Sequence, residues 1–193
     1  MAIEHIISTR LIDQAHSIVS RLVREGDSVV DATIGNGHDT LFLANCVGLN
    51  GRVIGFDVQE EALRATQQRL FDAGISEHAF ELHAVSHERM KTYLTDEIAA
   101  VMFNLGYLPG SDKVTITQAE TTLQALDAAL RSLRAGGVLT VMCYPGHDGG
   151  DSEAEAVRGW SQGMSDLGHA IDIYRREGSR STAPFLITLQ KQP

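Results

Sequence analysis

The spacing of hydrophobic and polar positions changes repeatedly along the chain, and the changes divide it into elements. From Leu11 to Val23 the apolar residues Leu11, Ile12, Ala15, Ile18, Val19, Leu22 and Val23 recur at three- and four-residue intervals. That spacing predicts an amphipathic helix, which Gly26-Asp27 ends. Five runs of mostly continuous apolar residues then predict strands, at 28–33, 52–58, 79–85, 98–104 and 137–144. Helical patterns lie between them, at 38–47, at Glu60–Ala73, in a short stretch after 85, and at Ile116–Leu133 up to the Ala-Gly-Gly of 135–137. A helix at Asp151–Leu167 and two strands, 169–175 and 184–191, close the chain.

Continuous apolar runs, as opposed to alternating ones, belong to strands covered on both faces, and strand–helix alternation builds a parallel sheet between helical layers. The expectation is a single α/β domain over 1–193: a Rossmann-like, mostly parallel seven-stranded sheet with helices on both faces. Residues 1–26 are expected to pack on it as a helical segment. The last two strands lack an intervening helix, so one is expected to run antiparallel at an edge.

Composition narrows the function classes. The chain has 193 residues, 43% hydrophobic and 21% charged, as expected of one globular domain. No apolar run reaches the ~20 residues of a membrane span, and the early Glu4 and His5 do not suit a secretory leader. Cys46 and Cys143 lack metal-site spacing and read as reduced, buried thiols, which suits a cytoplasmic location. The formal net charge of -9 argues against a broad basic face for nucleic acid, although a local patch would suffice. Arg175, Arg176 and Arg180 in "YRREGSR", together with Lys113 and Arg134, are candidates for phosphate contacts.

In an open parallel sheet, ligands bind beyond the carboxyl ends of the strands. The first predicted strand ends in "DATIGNGHDT", an acid followed by Gly35-Asn36-Gly37 and a helix start. Gly35 and Gly37 allow a close backbone approach. Thr40 stands where a dinucleotide fingerprint requires a third Gly, and no phosphate-binding Lys-Ser/Thr pair follows. Asp57, about twenty residues on, is placed to accept ribose hydroxyls, and Asp31 can face a cationic group. A nucleoside with a cationic tail and no phosphates fits these features, and S-adenosylmethionine answers that description. Ser86 and His87 close the third strand, where adenine would lie. His83 and His87 do not share a helical face, so a metal has little support.

The fourth strand ends in "NLGYLPGSDK". Asn104-Leu105-Gly106-Tyr107 resembles the Asn/Asp-Pro-Pro-Tyr segment of methyltransferases that act on nitrogen, with Leu105 and Gly106 in place of the prolines. Asn104 would orient an amine, and Tyr107 would stack on a planar group. Methyl displacement needs alignment more than chemistry from the protein. A base near neutrality would help deprotonate the amine, and "YPGHDGG" after the fifth strand offers His147, beside Tyr144.

Taken in order, "DATIGNGHDTLFLA", "FDVQ", "HAVSHE", "FNLGYLPGSDK" and "YPGHDGG" resemble the bacterial family labelled putative rRNA methylase, whose members are tRNA 5-aminomethyl-2-thiouridine methyltransferases. The resemblance implies a class I methyltransferase fold, S-adenosylmethionine as donor, and the aminomethyl nitrogen of a tRNA wobble uridine as acceptor, the anticodon arm docking on the catalytic domain. It puts Gly35, Asn36, Gly37, His38, Asp39 and Thr40 on the donor loop. Asp57 and Gln59 fall on ribose and adenine, Ser86 and His87 beside adenine, Asn104 against both donor and acceptor, and Leu105, Gly106, Tyr107, Tyr144 and His147 on the substrate side. Other readings stay open: a methyltransferase for rRNA or a free small amine, or a non-catalytic module that binds the donor. Monomer and homodimer are both compatible with the sequence.

Overall fold

The computed structural model describes residues 2–94, 97–106, 119–146, 149–180 and 182–192. Five helices are described: α1 (Leu11–Leu22), α2 (His38–Val47), α3 (Glu60–Asp72), α4 (Ala119–Ser132) and α5 (Gly150–Asp166). The strands are β1 (Ile3–Ile7), β2 (Ser28–Asp31), β3 (Arg52–Asp57), β4 (Phe80–Ala84), β5 (Ile98–Asn104), β6 (Leu133–Cys143), β7 (Ala170–Arg176) and β8 (Phe185–Gln190). They form one sheet in the order β1-β7-β8-β6-β5-β2-β3-β4. Strand order reverses between β2 and β5, which opens a crevice at their carboxyl ends.

Two expectations are corrected. The sheet has eight strands, because Ile3–Ile7 pairs in parallel with β7 and extends the sheet. The expected helical segment of 1–26 thus contributes a strand, β1, before its helix, α1. The antiparallel strand is β8, and it is not at an edge: it lies between β6 and β7 and runs against both.

Each face of the sheet carries its own core. Leu11, Ala15 and Val19 of α1 pack with Leu43, Ala44 and Val47 of α2 and Leu70 of α3 over Val29, Val53, Ala100 and Met142. On the opposite face, Ala125, Leu126 and Ala129 of α4 and Ala154 and Val157 of α5 cover Val101, Phe103, Val141 and Ile187. Burial of each large aliphatic side chain stabilises by about 1.5–3 kcal/mol. Sandwiching the central strands this way holds their carboxyl tips in a fixed row. No described helix is long and apolar enough to cross a membrane.

Candidate active site

The loop after β2 crosses the tips of both neighbouring strands. Ala32 N donates to Met102 O of β5 (2.9 Å), and Ile34 N donates to Phe56 O of β3 (3.0 Å). The chain then turns through Gly35 and Gly37, both left-handed with φ of 51° and 73°. At Gly37 the glycine is obligatory for a second reason. A Cβ there would lie 2.4 Å from Oγ1 of Thr66 on α3, so the turn can only seat α2 against α3 without a side chain. Arg69 Nε donates to Asn36 O (2.8 Å), which ties the loop to α3 from outside.

Three carboxylates line this turn. Asp31 is wholly buried, accepting from Thr40 Oγ1 (2.6 Å) and Thr33 N (3.1 Å). Burial, and then the charge of Asp39, push its carboxyl up to about 7, against the opposing effect of the two hydrogen bonds. Asp57 accepts Gly35 N on one oxygen and Gln59 N on the other, both at 2.9 Å. Each oxygen keeps a second lone pair for a ligand. Asp39 joins three elements. Its Oδ1 lies 2.7 Å from His16 Nε2 of α1, and its Oδ2 accepts from Asn104 Nδ2 of β5 at 3.4 Å. Its charge also reaches Tyr144 after β6, whose hydroxyl is pushed above the usual tyrosine range by burial first and then by Asp39.

Asn104, at the tip of β5, is held twice, because its backbone N also donates to Thr33 Oγ1 (2.7 Å). Leu105 is buried, with its N–H donating to Met142 O (3.0 Å), and Gly106 follows, half-buried. His38 and Asn36 are exposed on the outer side of the turn, and Thr40 is buried beneath it. Ser86 and Gln59 are half-buried, after β4 and β3 respectively. His87 is buried, its ring edge-on to Phe103 with centroids 5.9 Å apart. Burial takes its imidazole down to about 4. Its Nε2 has no hydrogen-bond partner among the described residues.

The sequence-based candidates therefore separate into groups. Asp31, Gly35, Gly37, Asp39, Thr40, Asp57, Gln59 and Asn104 come together at the crevice. Arg176 and Arg180 are exposed at the end of β7 and in the turn after it. Tyr107, Lys113 and His147 lie outside the described residues. Arg134 is corrected. Its guanidinium is bound to both oxygens of Asp27 (2.6 and 3.0 Å), which precedes β2, and so it belongs to the amino end of the sheet, opposite the crevice. His16 and Thr33 had no sequence signal. His16 is stacked on Phe42 of α2, centroids 3.8 Å apart and planes within 4°, and meets Asp39 only through the tertiary fold.

The donor set suits the ligand inferred from sequence. A turn lined by three carboxylates, one of them raised to about 7 by burial and then by its neighbour's charge, favours a cation, and each oxygen of Asp57 keeps a lone pair for a ligand. This crevice, in this sheet order, defines a class I S-adenosylmethionine-dependent methyltransferase. The chain belongs to the family described as "Putative rRNA methylase", whose model matches residues 53–190.

Among its relatives is the tRNA (mnm(5)s(2)U34)-methyltransferase, chloroplastic, of Arabidopsis thaliana, 38% identical over 187 residues, which are 92% of this chain and 68% of the relative. A crystal structure of a "putative rRNA-methylase" from Clostridium thermocellum superposes with a TM-score of 0.91 at 39% identity, covering 96% of this chain and 100% of that one. A Streptococcus mutans methyltransferase in complex with SAH gives a TM-score of 0.86 at 34% identity, covering 96% and 99%.

Proposed function

We propose that the chain methylates the aminomethyl nitrogen of 5-aminomethyl-2-thiouridine at the wobble position of tRNA, in the cytoplasm. The 38% identity to a tRNA wobble-uridine methyltransferase over 92% of the chain supports the acceptor. The single observation that carries the chemistry is Asn104 at the strand tip, its backbone N–H on Thr33 Oγ1 and its carboxamide on Asp39.

S-adenosylmethionine supplies an electrophilic methyl on a positively charged sulfur and leaves as the neutral thioether. The Asp57 carboxylate binds the ribose hydroxyls, with Gln59 and Ser86 flanking the adenine. Asp31 and Asp39 provide the negative field that a sulfonium and an incoming ammonium both require. The bond from Nδ2 of Asn104 to Asp39 fixes which way the amide faces, leaving Oδ1 to accept an N–H of the substrate amine and aim its lone pair. The His16–Asp39 pair takes the ammonium proton, since the amine must be neutral before it attacks. Tyr144, at the rim and 36% exposed, stacks on the uracil, a contact worth ~1–3 kcal/mol. The base has to be unpaired to enter, as a wobble base is.

The test is incubation with labelled donor and tRNA from cells that lack the gene, followed by nucleoside analysis. The expected label is in 5-methylaminomethyl-2-thiouridine. Label in another nucleoside, or in none, rejects the assignment.

A further inference from the structure

Acidic residues outnumber Lys and Arg, 25 to 16, and several arginines are matched to a carboxylate: Arg10 to Asp13, Arg52 to Glu81, Arg64 to Glu60 and Glu61, and Arg134 to Asp27. Arg158 and Arg175 are held differently. Their guanidinium carbons lie 4.7 and 4.8 Å from the centroid of one ring, that of Phe185. Neither makes an ion pair among the described residues.

The placement follows from the sheet. Phe185 opens β8, and the antiparallel register sets it directly between Cys143 of β6 and Arg175 of β7. Directly paired residues share a face, so the three side chains stand on the face that α5 crosses, and α5 contributes Arg158. The ring itself is buried, while both arginines stay half-exposed. Phe185 thus fixes both cations by cation–π contact without neutralising either. Two like charges so close repel one another. Loss of hydration, and then the charge of Arg158, hold Arg175 below the usual arginine range, with Glu4 the acid that counters this. Nη1 of Arg175 is also buried with no hydrogen-bond partner among the described residues, and an unmet buried donor is costly.

Among the described residues no carboxylate forms an ion pair with either of these two guanidinium groups on one ring, and one of them keeps a buried N–H without a partner. Arginine forks match phosphate oxygens in geometry as well as charge. We propose that Arg158 and Arg175, fixed by Phe185, form a phosphate-binding site that grips the backbone of the RNA whose base reaches Asn104; this rests on the RNA reading above. The location suits that role. Phe185 and Arg175 mark the carboxyl ends of the sheet, as Asn104 does, and the three strand spacings from β5 to β7 span about 14 Å at ~4.8 Å each. Exposed Arg180 lies in the turn after β7, and exposed Arg176 stands on the opposite face of β7 from Arg175. That turn abuts the loop after β6, since a Cβ on Gly146 would lie 3.5 Å from Thr182 O. The turn that carries Arg180 therefore leads back to Tyr144 and the crevice. A protein of net charge -9 can hold RNA in this way, with a narrow track in place of a basic face.

The test uses the full chain and a synthetic anticodon stem-loop RNA, with binding measured by fluorescence anisotropy from 50 to 300 mM salt. Arg158→Gln and Arg175→Gln are compared with the parent, and S-adenosylhomocysteine affinity and Tm are measured for each. Gln keeps the helix propensity of α5, so Arg158→Gln retains the fold. Arg158→Gln is expected to weaken RNA binding about tenfold near 100 mM salt and to make the log Kd against log salt slope shallower by about one. Donor-product affinity should stay at the parental value. Arg175→Gln is expected to act in the same direction. If Arg158→Gln keeps both the parental affinity and the parental slope, the phosphate site is wrong while the RNA reading stands. If the parent itself fails to bind the RNA, the RNA reading falls and takes this site with it.

Discussion

At the residue scale, two buried ionisable groups in and under the crevice pull stability in opposite directions with pH. An unfolded Asp ionises near 4, whereas Asp31 in the fold is raised to about 7. Its contribution is complete below about pH 4 and is lost as pH rises through about 7. His87 runs the other way, with an unfolded value near 6.5 and a folded value of about 4. Its contribution is complete above about 6.5 and is lost as pH falls through about 4. Asp31→Asn removes only the first effect. The Tm of the variant, measured against the parent, is therefore expected to shift in the variant's favour as pH rises from 4 to 7, and a difference that is flat across this range contradicts the assignment. The same group predicts that affinity for a cationic donor rises with pH up to about 7, because binding must first expel the Asp31 proton. Calorimetry at pH 5.5 and 8 reads this directly.

His16 carries the second residue-scale prediction. If its pair with Asp39 takes the proton from the substrate ammonium, His16→Ala lowers kcat about 100-fold at neutral pH, a usual size for general base catalysis. The deficit then shrinks as pH rises and solvent deprotonates the amine. A merely structural histidine would leave the shape of the pH–rate profile unchanged.

At the element scale, the turn from β2 into α2 is the most constrained piece of backbone in the site. Gly37→Ala would place a side chain at a φ of 73° and 2.4 Å from Thr66 Oγ1. The left-handed conformation alone costs ~1–2 kcal/mol, and relief of the clash must push α3 away from α2. Thermal denaturation is expected to show a loss well above 2 kcal/mol, and the distorted turn should also weaken donor binding.

Much of this level was legible in the chain. β2, β3, β5 and β6 read as continuous apolar runs because both faces are covered, and the Gly-Asn-Gly turn was visible as a break between a strand and a helix. β1 was not legible. Ile3-Glu4-His5-Ile6-Ile7 has no clean alternation, since an edge strand paired only to β7 leaves Ile3 and Ile6 59% and 64% exposed. The interior position of β8 was also hidden, because local sequence does not encode which neighbours an apolar strand inserts between. Of the site, the residues on one loop were readable from spacing. His16, Thr33 and the pairing of Arg158 with Arg175 were not, although Arg175 itself was a candidate, since each acquires its role from contact with residues distant in sequence.

At the scale of the whole molecule, the net charge of -9 sets how RNA can be held. General electrostatic attraction is absent, so under the proposed RNA reading binding depends on a few phosphate contacts around α5, β7 and the β7–β8 turn. With each contact adding ~0.7–0.9 to the salt slope, two to four contacts predict a magnitude of about 1.5–3.5. A slope near 8 would require a broad basic face, which the net charge of -9 argues against.

The account as a whole rests on a carboxamide that aims a nitrogen at a methyl group. The most direct measurement is the turnover of Asn104→Ala on undermethylated tRNA, made alongside calorimetric donor affinity. With Asn104 outside the ribose and adenine contacts, donor Kd should stay within about threefold of the parent. The rate should fall about 100-fold, the loss that misalignment of this size produces. A variant that binds donor normally and still methylates tRNA at the parental rate would contradict the account.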